Sequence, residues 1–401
     1  MNQSMTSQPF SRLPPETANG SAVALLPIMG AVFVAFLVIG LAMPVLPLHV
    51  HQGLGLDTFF VGLVAGSQFA ASLFSRVWAG RHADSRGPKH AVVTGLAASS
   101  VAGLLYLVSL HFASEPALSV TILLVGRALL GAGESFVITG AQAWGLALAG
   151  PEKTGKVLAL MGTAMYAAFA LGAPAGMALY ASSGFVAIAV ATVLAPLATL
   201  LVVAPLQRVA PTARVRAAFA KVVAAVWLPG VGLALSSVGF GAMTAFVALV
   251  FAARGWSVWP AFTIFAVAFI LARVLFGDLA DRVGGARVAL VCVLIEAAGQ
   301  ALIWLAPWSA LALLGAALTG FGFSLVYPGF GVEAVRRAPP QNRGLAMGAY
   351  TACLDVALAL ASPALGVIAS AAGLDIVFLV SALVVLSAAA IAMRLRVGRR
   401  D

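Results

Sequence analysis

Charge is scarce in this chain. Of its 401 residues only 9% are Asp, Glu, Lys or Arg, 62% are hydrophobic, and the mean hydropathy is +1.05. A soluble domain carries about 25% charged and about 45–50% apolar residues, so a water-soluble globule is excluded. Cysteine is almost missing: Cys292 and Cys353 each sit inside an apolar stretch, which excludes a disulfide framework and a thiolate metal site. No G-x-x-x-x-G-K-[ST] loop, Ser-His-Asp set or metal-ligand spacing occurs at a consistent depth, so no metal, cofactor or enzymatic chemistry is expected. The period-2 alternation of a porin strand is absent too, and backbone groups in hydrocarbon must bond within their own segment, which leaves helices.

What the chain does contain is long apolar runs. They repeatedly exceed the roughly 18–20 residues that cross about 30 Å of hydrocarbon at about 1.5 Å per residue. Breaking them at clusters of charge, Pro and Gly predicts twelve helices, at about 24–48, 57–79, 90–111, 118–147, 155–179, 184–206, 223–252, 258–278, 287–306, 309–335, 344–370 and 374–395. The expected fold is an all-α integral membrane protein with twelve transmembrane helices in two six-helix bundles. Residues 1–23 read as a cytoplasmic N-terminal tail, 24–206 as the first bundle, 207–222 as a cytoplasmic linker, 223–395 as the second bundle and 396–401 as a cytoplasmic C-terminal tail.

The formal charge of +10 is explained by topology rather than by nucleic acid. With the N-terminus inside, the even connections and the tails collect nineteen of the 23 Lys and Arg residues, and the odd connections carry only Arg254. The remaining three are Arg76 and Arg273, near expected cytoplasmic helix ends, and Arg127 within a span. The positive-inside rule therefore predicts both termini cytoplasmic. Trp144, Trp227, Trp256, Trp259 and Trp308 fall near predicted helix ends, as an aromatic belt requires.

Two charged segments repeat one plan. "SRVWAGRHADSRGPKHAV" and "ARVLFGDLADRVGGARVA" align Arg76 with Arg273, Gly80 with Gly277, Ala83 with Ala280, Asp84 with Asp281 and Gly87 with Gly284, all at an offset of 197 residues. Each follows the second span of its half, so a six-helix unit has been duplicated in parallel, as in many transporters. Any short turn needs Gly and basic residues, but composition alone does not produce five matches at one offset.

Embedded polar residues are the site candidates. Arg127 and Glu134, in "GRALLGAGESF", are seven residues apart on one face of the fourth span. Their axial separation of about 10 Å argues against direct pairing, and a charge at that depth normally faces a bundle interior or a wet cavity. Asp355, in "YTACLDVALALASPALG", is the second embedded acid, too far from either end of its span to snorkel. An embedded carboxyl can alternate between protonated and charged forms as water access switches sides, so proton coupling through Glu134 and Asp355 is expected. Gln142, Tyr166 and Tyr327 are further candidates for the cavity lining. Gly172, Pro174 and Gly176 allow either a kink or ordinary close packing of the fifth span. Glu296 and Gln300, one turn apart on the ninth span, read as structural. Glu333 either pairs locally with Arg336 and Arg337 or joins the charged loop at Asp281 and Arg282. Asp57 is expected to cap the second span.

"GRHADSRGPKH" and "GDLADRVGGAR" resemble the loop signature of the major facilitator superfamily, G-x-x-x-D-R-x-G-x-K/R, with Ser85 standing where the first copy should have Arg and Arg86 one place later. The resemblance covers essentially all spans. It implies a cytoplasmic latch of Asp84, Arg86, Asp281 and Arg282, turned by Gly80, Gly87, Gly277 and Gly284, that holds the bundles together in the outward-open state. Arg127, Gly131 and Gly133 fit the R-x-x-x-G-x-G signature of the drug:proton antiporter branch, and Gly172, Pro174 and Gly176 a reduced form of its fifth-span motif. "GAGESF" and the stretch from Val326 to Ala359 are similar to the bacterial YhhS-type transporters. The function this implies is proton-coupled export of a small organic molecule from the bacterial cytoplasm by a monomer in the inner membrane, without cofactor or nucleic acid. A sugar or metabolite facilitator or proton symporter, or a membrane sensor that has lost transport, are the alternatives.

Overall fold

The structure, a computed structural model, describes residues 18–149, 154–209, 219–338 and 343–397, and all of their regular structure is helical. Parts of both expected tails and most of the expected linker lie outside the described residues. The first span is built from α1 (Ala18–Ala42), α2 (Val45–Leu48) and a π-helical turn at His49–Gly53. The next three are α3 (Thr58–Arg86), α4 (Pro88–His111) and α5 (Pro116–Ala149). The fifth and sixth run on as α6 (Thr154–Val203), broken at Gly184, whose φ of 65° is not helical. The second half comprises α7 (Phe219–Ala253), α8 (Trp259–Phe276), the short α9 (Leu279–Val283), α10 (Gly285–Leu305), α11 (Ser309–Arg337), α12 (Arg343–Ala372) and α13 (Leu374–Val397). Among the described residues eleven helices are long and apolar enough to cross a membrane, and the break of α6 at Gly184 makes twelve segments of them.

Local chemistry explains the ends. Asp57 caps α3, its carboxylate accepting from the N–H groups of Phe59 and Phe60 at 3.0 and 3.3 Å. Gly87 and Gly284, at φ 96° and 101°, turn the chain into α4 and α10, and Pro88 opens α4, where its missing N–H costs nothing. The quoted charged segments differ from a loop, however. α3 stays helical through Arg86, seven residues beyond its expected end, and the second copy is helical again over Leu279–Val283. Gly80 and Gly277 therefore lie before the turns and have no positive φ.

The duplication is visible in the packing. Gly133 backs onto Gly95 and Gly322 onto Cys292; Gly131 sits against the carbonyl of Gln68 and Gly320 against that of Phe265. On α3 and α4 the offset to the partner half is 197 residues (265 − 68), but on α5 it is 189 (320 − 131). The same 189 relates Gly184 to Gly373, which break the chain between the last two spans of each half, and Pro174 to Pro363 inside α6 and α12. Eight residues are thus missing between the ninth and tenth spans relative to the third and fourth.

The two bundles meet unequally. At the end of the molecule that carries the α1–α3 connection, α3 lies on α12 almost backbone to backbone: a Cβ on Gly66 would come within 2.9 Å of the Ala359 carbonyl, and Gly62 and Gly366 are as tight. Thr58 Oγ1 also bonds the Gly366 carbonyl at 2.9 Å and Ser370 Oγ at 2.8 Å across the bundles. One apolar core joins both bundles there, including Val61, Phe246, Phe251 and Leu365. At the opposite, basic end the second bundle has a separate core around Val226, Ala280, Ala286, Ala346 and Leu395. The bundles are fused at one end and independent at the basic end. Leu26, Leu201, Val274 and Leu360 are highly exposed, a surface suited to hydrocarbon rather than water. Trp227, Trp259 and Trp308 are exposed as a belt requires, but Trp144 is buried in the first bundle.

Candidate functional site

The extra turns of α3 decide the site. Because the helix continues to Arg86, Arg76 lies ten residues from its end, about 15 Å inside the basic face, and not at the rim as its sequence position suggests. There its Nη2 stands 2.5 Å from Asp355 Oδ2 on α12, an ion pair between the two bundles whose acid is almost fully buried.

Arg273 on α8 does the mirror-image thing. Its Nη2 donates to Tyr166 Oη on α6 at 3.2 Å, and its guanidinium carbon lies 5.0 Å over the Tyr166 ring and 5.7 Å from that of Phe269. Arg273 is Arg76 shifted by 197 residues, and Asp355 is Tyr166 shifted by 189. The offsets are those the packing assigns to these spans, so the two contacts are equivalent arms of one duplicated design. Together with the Thr58 bonds they join the two bundles by polar contacts.

Glu134 on α5 is buried beside this pair. Its Oε2 accepts from Gln68 Nε2 at 2.8 Å, and Arg76, Arg127 and Asp355 all lie within electrostatic reach. Arg127 is equally buried but makes no ion pair with Glu134: its Nε approaches the Val64 carbonyl at 3.5 Å, and it lines a small cavity with Ile39, Met43, Phe69 and Thr244. Gly131 is what admits the close crossing, since a Cβ there would overlap the backbone carbonyl of Gln68. Tyr327 is half-buried on α11, sharing a 2.8 Å hydrogen bond with Thr351 Oγ1, while its carbonyl accepts from Tyr350 Oη at 2.7 Å. Tyr327 is also in electrostatic range of Tyr166, Arg76 and Arg273. Gln142, eight residues beyond Glu134, is half-buried and bonds none of these groups. The chain thus gathers Glu134, Asp355, Tyr166 and Tyr327 around two arginines that sequence reading left at helix ends, and adds Gln68.

The charged segments at the basic end stay apart. Asp84, Arg86 and Asp281 are exposed and unpaired among the described residues, and Arg282 reaches only Asp278, at 3.5 Å. Glu333 is engaged within its own bundle. Its Oε1 accepts the Ala286 N–H at 3.3 Å, which caps α10 beside Gly284, and Oε2 pairs with Arg337 at 2.9 Å. In the first bundle Lys89 does a comparable job from the other side, donating to the carbonyls of Ala204 and Leu206 at the end of α6, 2.6 Å each.

The fifth-span residues lie away from this centre. Gly172 meets Gly40 of α1 at backbone distance, Gly176 meets Leu41, and Pro174 lies inside α6 between them. Glu296 and Gln300 are fully buried inside the second bundle, Glu296 accepting from Ser236 and Gln300 donating to the Gly239 carbonyl at 3.2 Å. Among the described residues no cluster of His, Cys, Asp and Glu has the arrangement of a metal site.

Comparison with known proteins agrees with this architecture. The Major Facilitator Superfamily profile matches residues 28–262 and 255–401. An uncharacterized MFS-type transporter of Salmonella typhimurium is 42% identical over 380 residues, covering 94% of this chain and 98% of that protein. One from Burkholderia pseudomallei is 41% identical over 385 residues, covering 94% and 93%. The crystal structure of the nucleoside transporter NupG superposes with a TM-score of 0.73 at 15% identity, over 93% of this chain and 99% of that one, a likeness of fold. The chain belongs to the Major Facilitator Superfamily, and is a multi-pass membrane transporter and not an enzyme.

Proposed function

We propose that the chain exports a small organic molecule by proton-coupled antiport, with Asp355 and Glu134 as the proton-carrying groups and alternating access between the bundles as the motion. The observation that carries this reading is the 2.5 Å Arg76–Asp355 ion pair joining α3 to α12, with Glu134 in reach of the same arginine. An ion pair between two moving bodies biases their equilibrium by its differential energy. A proton on Asp355 removes the charge that holds Arg76 and so loosens the bundles, and a proton on Glu134 hands its share of Arg76 back to Asp355. Arg127, a third positive charge beside them, favours return of each proton.

Asp84, Arg86, Asp281 and Arg282 are the latch of the alternative conformer. They stand unpaired across the bundles here, as a latch does when the basic end is open. With Gly131 and Gly133 beside Arg127, and Gly172, Pro174 and Gly176 in the fifth span, the drug:proton antiporter and YhhS-type resemblance supports export over import. The bacterial relatives support an inner-membrane location, and the concentration of Lys and Arg at one end supports cytoplasmic termini. A single chain supplies both bundles of the site, so the working unit is a monomer.

The test is proton movement in proteoliposomes challenged with drugs, sugars and amino acids. Cargo-triggered proton release that is lost in Glu134→Gln or Asp355→Asn supports antiport. Flux that ignores the proton gradient and both substitutions overturns it in favour of a facilitator.

A further inference from the structure

The two arms of the interface are built alike and filled differently. Arg76 meets a carboxylate. Arg273, its duplicate, meets the phenol and ring of Tyr166, and no carboxylate pairs with it among the described residues. A guanidinium carries five donors in a fixed fork suited to a carboxylate or another planar oxyanion. Arg273 spends one of them on Tyr166 Oη, and its Nε, like that of Arg76, is buried with no hydrogen-bond partner, so what separates the two arms is the carboxylate. Three arginines, Arg76, Arg127 and Arg273, face two carboxylates, Glu134 and Asp355, so with both acids charged the interface keeps one uncompensated positive charge. A half-buried charge gives up part of its hydration, and among the described residues no carboxylate compensates Arg273.

We infer that the transported solute is an organic anion whose carboxylate or similar oxyanion docks on Arg273 beside Tyr166, supplying the charge that Asp355 supplies in the other arm. This rests on the reading of the bundle interface as the transport site, and it names the class of solute. Tyr166 Oη marks one hydrogen bond of the slot. The apolar body of the solute meets the half-buried Tyr166 ring, which is held in place by the buried Phe269 ring 4.3 Å behind it. The solute thereby completes the second cross-bundle ion pair, which makes its binding and the approach of the bundles one event. An organic cation would meet Arg273 with like charge, and a neutral solute would leave it unpaired.

The experiment uses the purified full-length chain in lipid nanodiscs and three probes of one shape: benzoate, benzamide and benzylamine. A ligand that binds only the folded state raises its unfolding temperature in proportion to its affinity. Benzoate at millimolar concentration is expected to raise the unfolding temperature, and the amide and amine to leave it unmoved. Arg273→Gln should weaken the benzoate effect at least about tenfold. Tyr166→Asp should do the same for the opposite reason, since its own carboxylate occupies the slot, and its unliganded form should unfold no lower than the parent. No benzoate effect, equal effects of amide or amine, or a benzoate effect that survives Arg273→Gln would overturn the proposal. The measurement is made at equilibrium without a gradient, so benzoate binding alongside absent proton movement retires antiport alone. Proton-driven flux of an amine that survives Arg273→Gln retires the anion slot alone.

Discussion

Tyr166 and Asp355, 189 residues apart, are one position of a duplicated unit, and each faces the arginine of the opposite bundle, Arg273 and Arg76. The charged arm should be the stronger. In a double-mutant cycle Arg76→Gln and Asp355→Asn are expected to show a coupling of about 0.5–3 kcal/mol, as residues in direct contact do. The cycle of Arg273→Gln with Tyr166→Phe should give about 0.5–1.5 kcal/mol, the worth of one hydrogen bond. Unfolding of the four single and two double variants in detergent measures both, and equal coupling in the two arms would contradict the difference in their chemistry.

Gly87 and Gly284 hold φ near +100°, which an L side chain adopts only under strain. Gly87→Ala and Gly284→Ala should each cost about 1–3 kcal/mol. Gly80 is helical and a Cβ there meets nothing within 4 Å, so Gly80→Ala should be neutral or slightly stabilising, by up to about 1 kcal/mol. Thermal unfolding of the three variants separates turn glycines from helical ones, and a Gly80→Ala loss as large as the others would show that the charged segment turns earlier than Gly87.

Gly62 and Gly366 lie where α3 and α12 touch across the bundles. A methyl group there obstructs contacts of this conformer and not the packing within either bundle. Gly62→Ala and Gly366→Ala should therefore shift the population toward the state closed at the basic end. Spin labels at Ser85 and Val283 read the outcome: a shorter mean distance than in the parent is expected, and an unchanged distribution would mean that the two bundles do not part along this seam.

Glu333 caps α10 through the Ala286 N–H and pairs with Arg337. Glu333→Ala should destabilise the chain by about 0.5–2 kcal/mol. Glu333→Gln should recover most of this, because it keeps the acceptor and the partly exposed ion pairs are worth little. Denaturant unfolding tests the order, and equal loss in both variants would assign the stability to charge.

Much of the architecture was legible in the chain itself. Twelve spans follow from apolar length, the Asp57 cap from its place before an apolar run, and the Glu333–Arg337 pair from four-residue spacing. The centre of the site was less legible, because a charged residue near the end of an apolar run reads as the membrane boundary. α3 overruns that boundary, so Arg76 lies well inside, and Gln68 was hidden as a lone amide among small residues. The alignment of Arg76 with Arg273 held the clue, since duplicated arginines one turn before the charged segment serve no purpose in topology alone. The kinship of Tyr166 and Asp355 could not be read at a constant offset: the eight residues missing after the ninth span move it from 197 to 189, and only packing at Gly131 and Gly320 restores the register. Trp144 shows the converse error, a tryptophan near a helix end that packs inward because that end is covered by α1 and α6.

In the proposed mechanism the unmatched arm also makes transport sensitive to voltage. A full elementary charge crossing the membrane field is worth about 2.3 kcal/mol per 100 mV. In the proposed alternating-access cycle the bundles reorient around Arg273, so its surplus positive charge would pass through part of that field each time the empty protein resets. The Arg76–Asp355 pair is neutral while Asp355 is charged and adds to the moving charge only when Asp355 carries a proton. On that reading an inside-negative potential would favour the empty conformer that brings Arg273 electrically closer to the cytoplasm, while the proposed monoanion would cancel the charge and free the loaded step from the potential. The same difference of one side chain between the two halves, Tyr166 against Asp355, would then turn a symmetric rocking body into a directional electrical one.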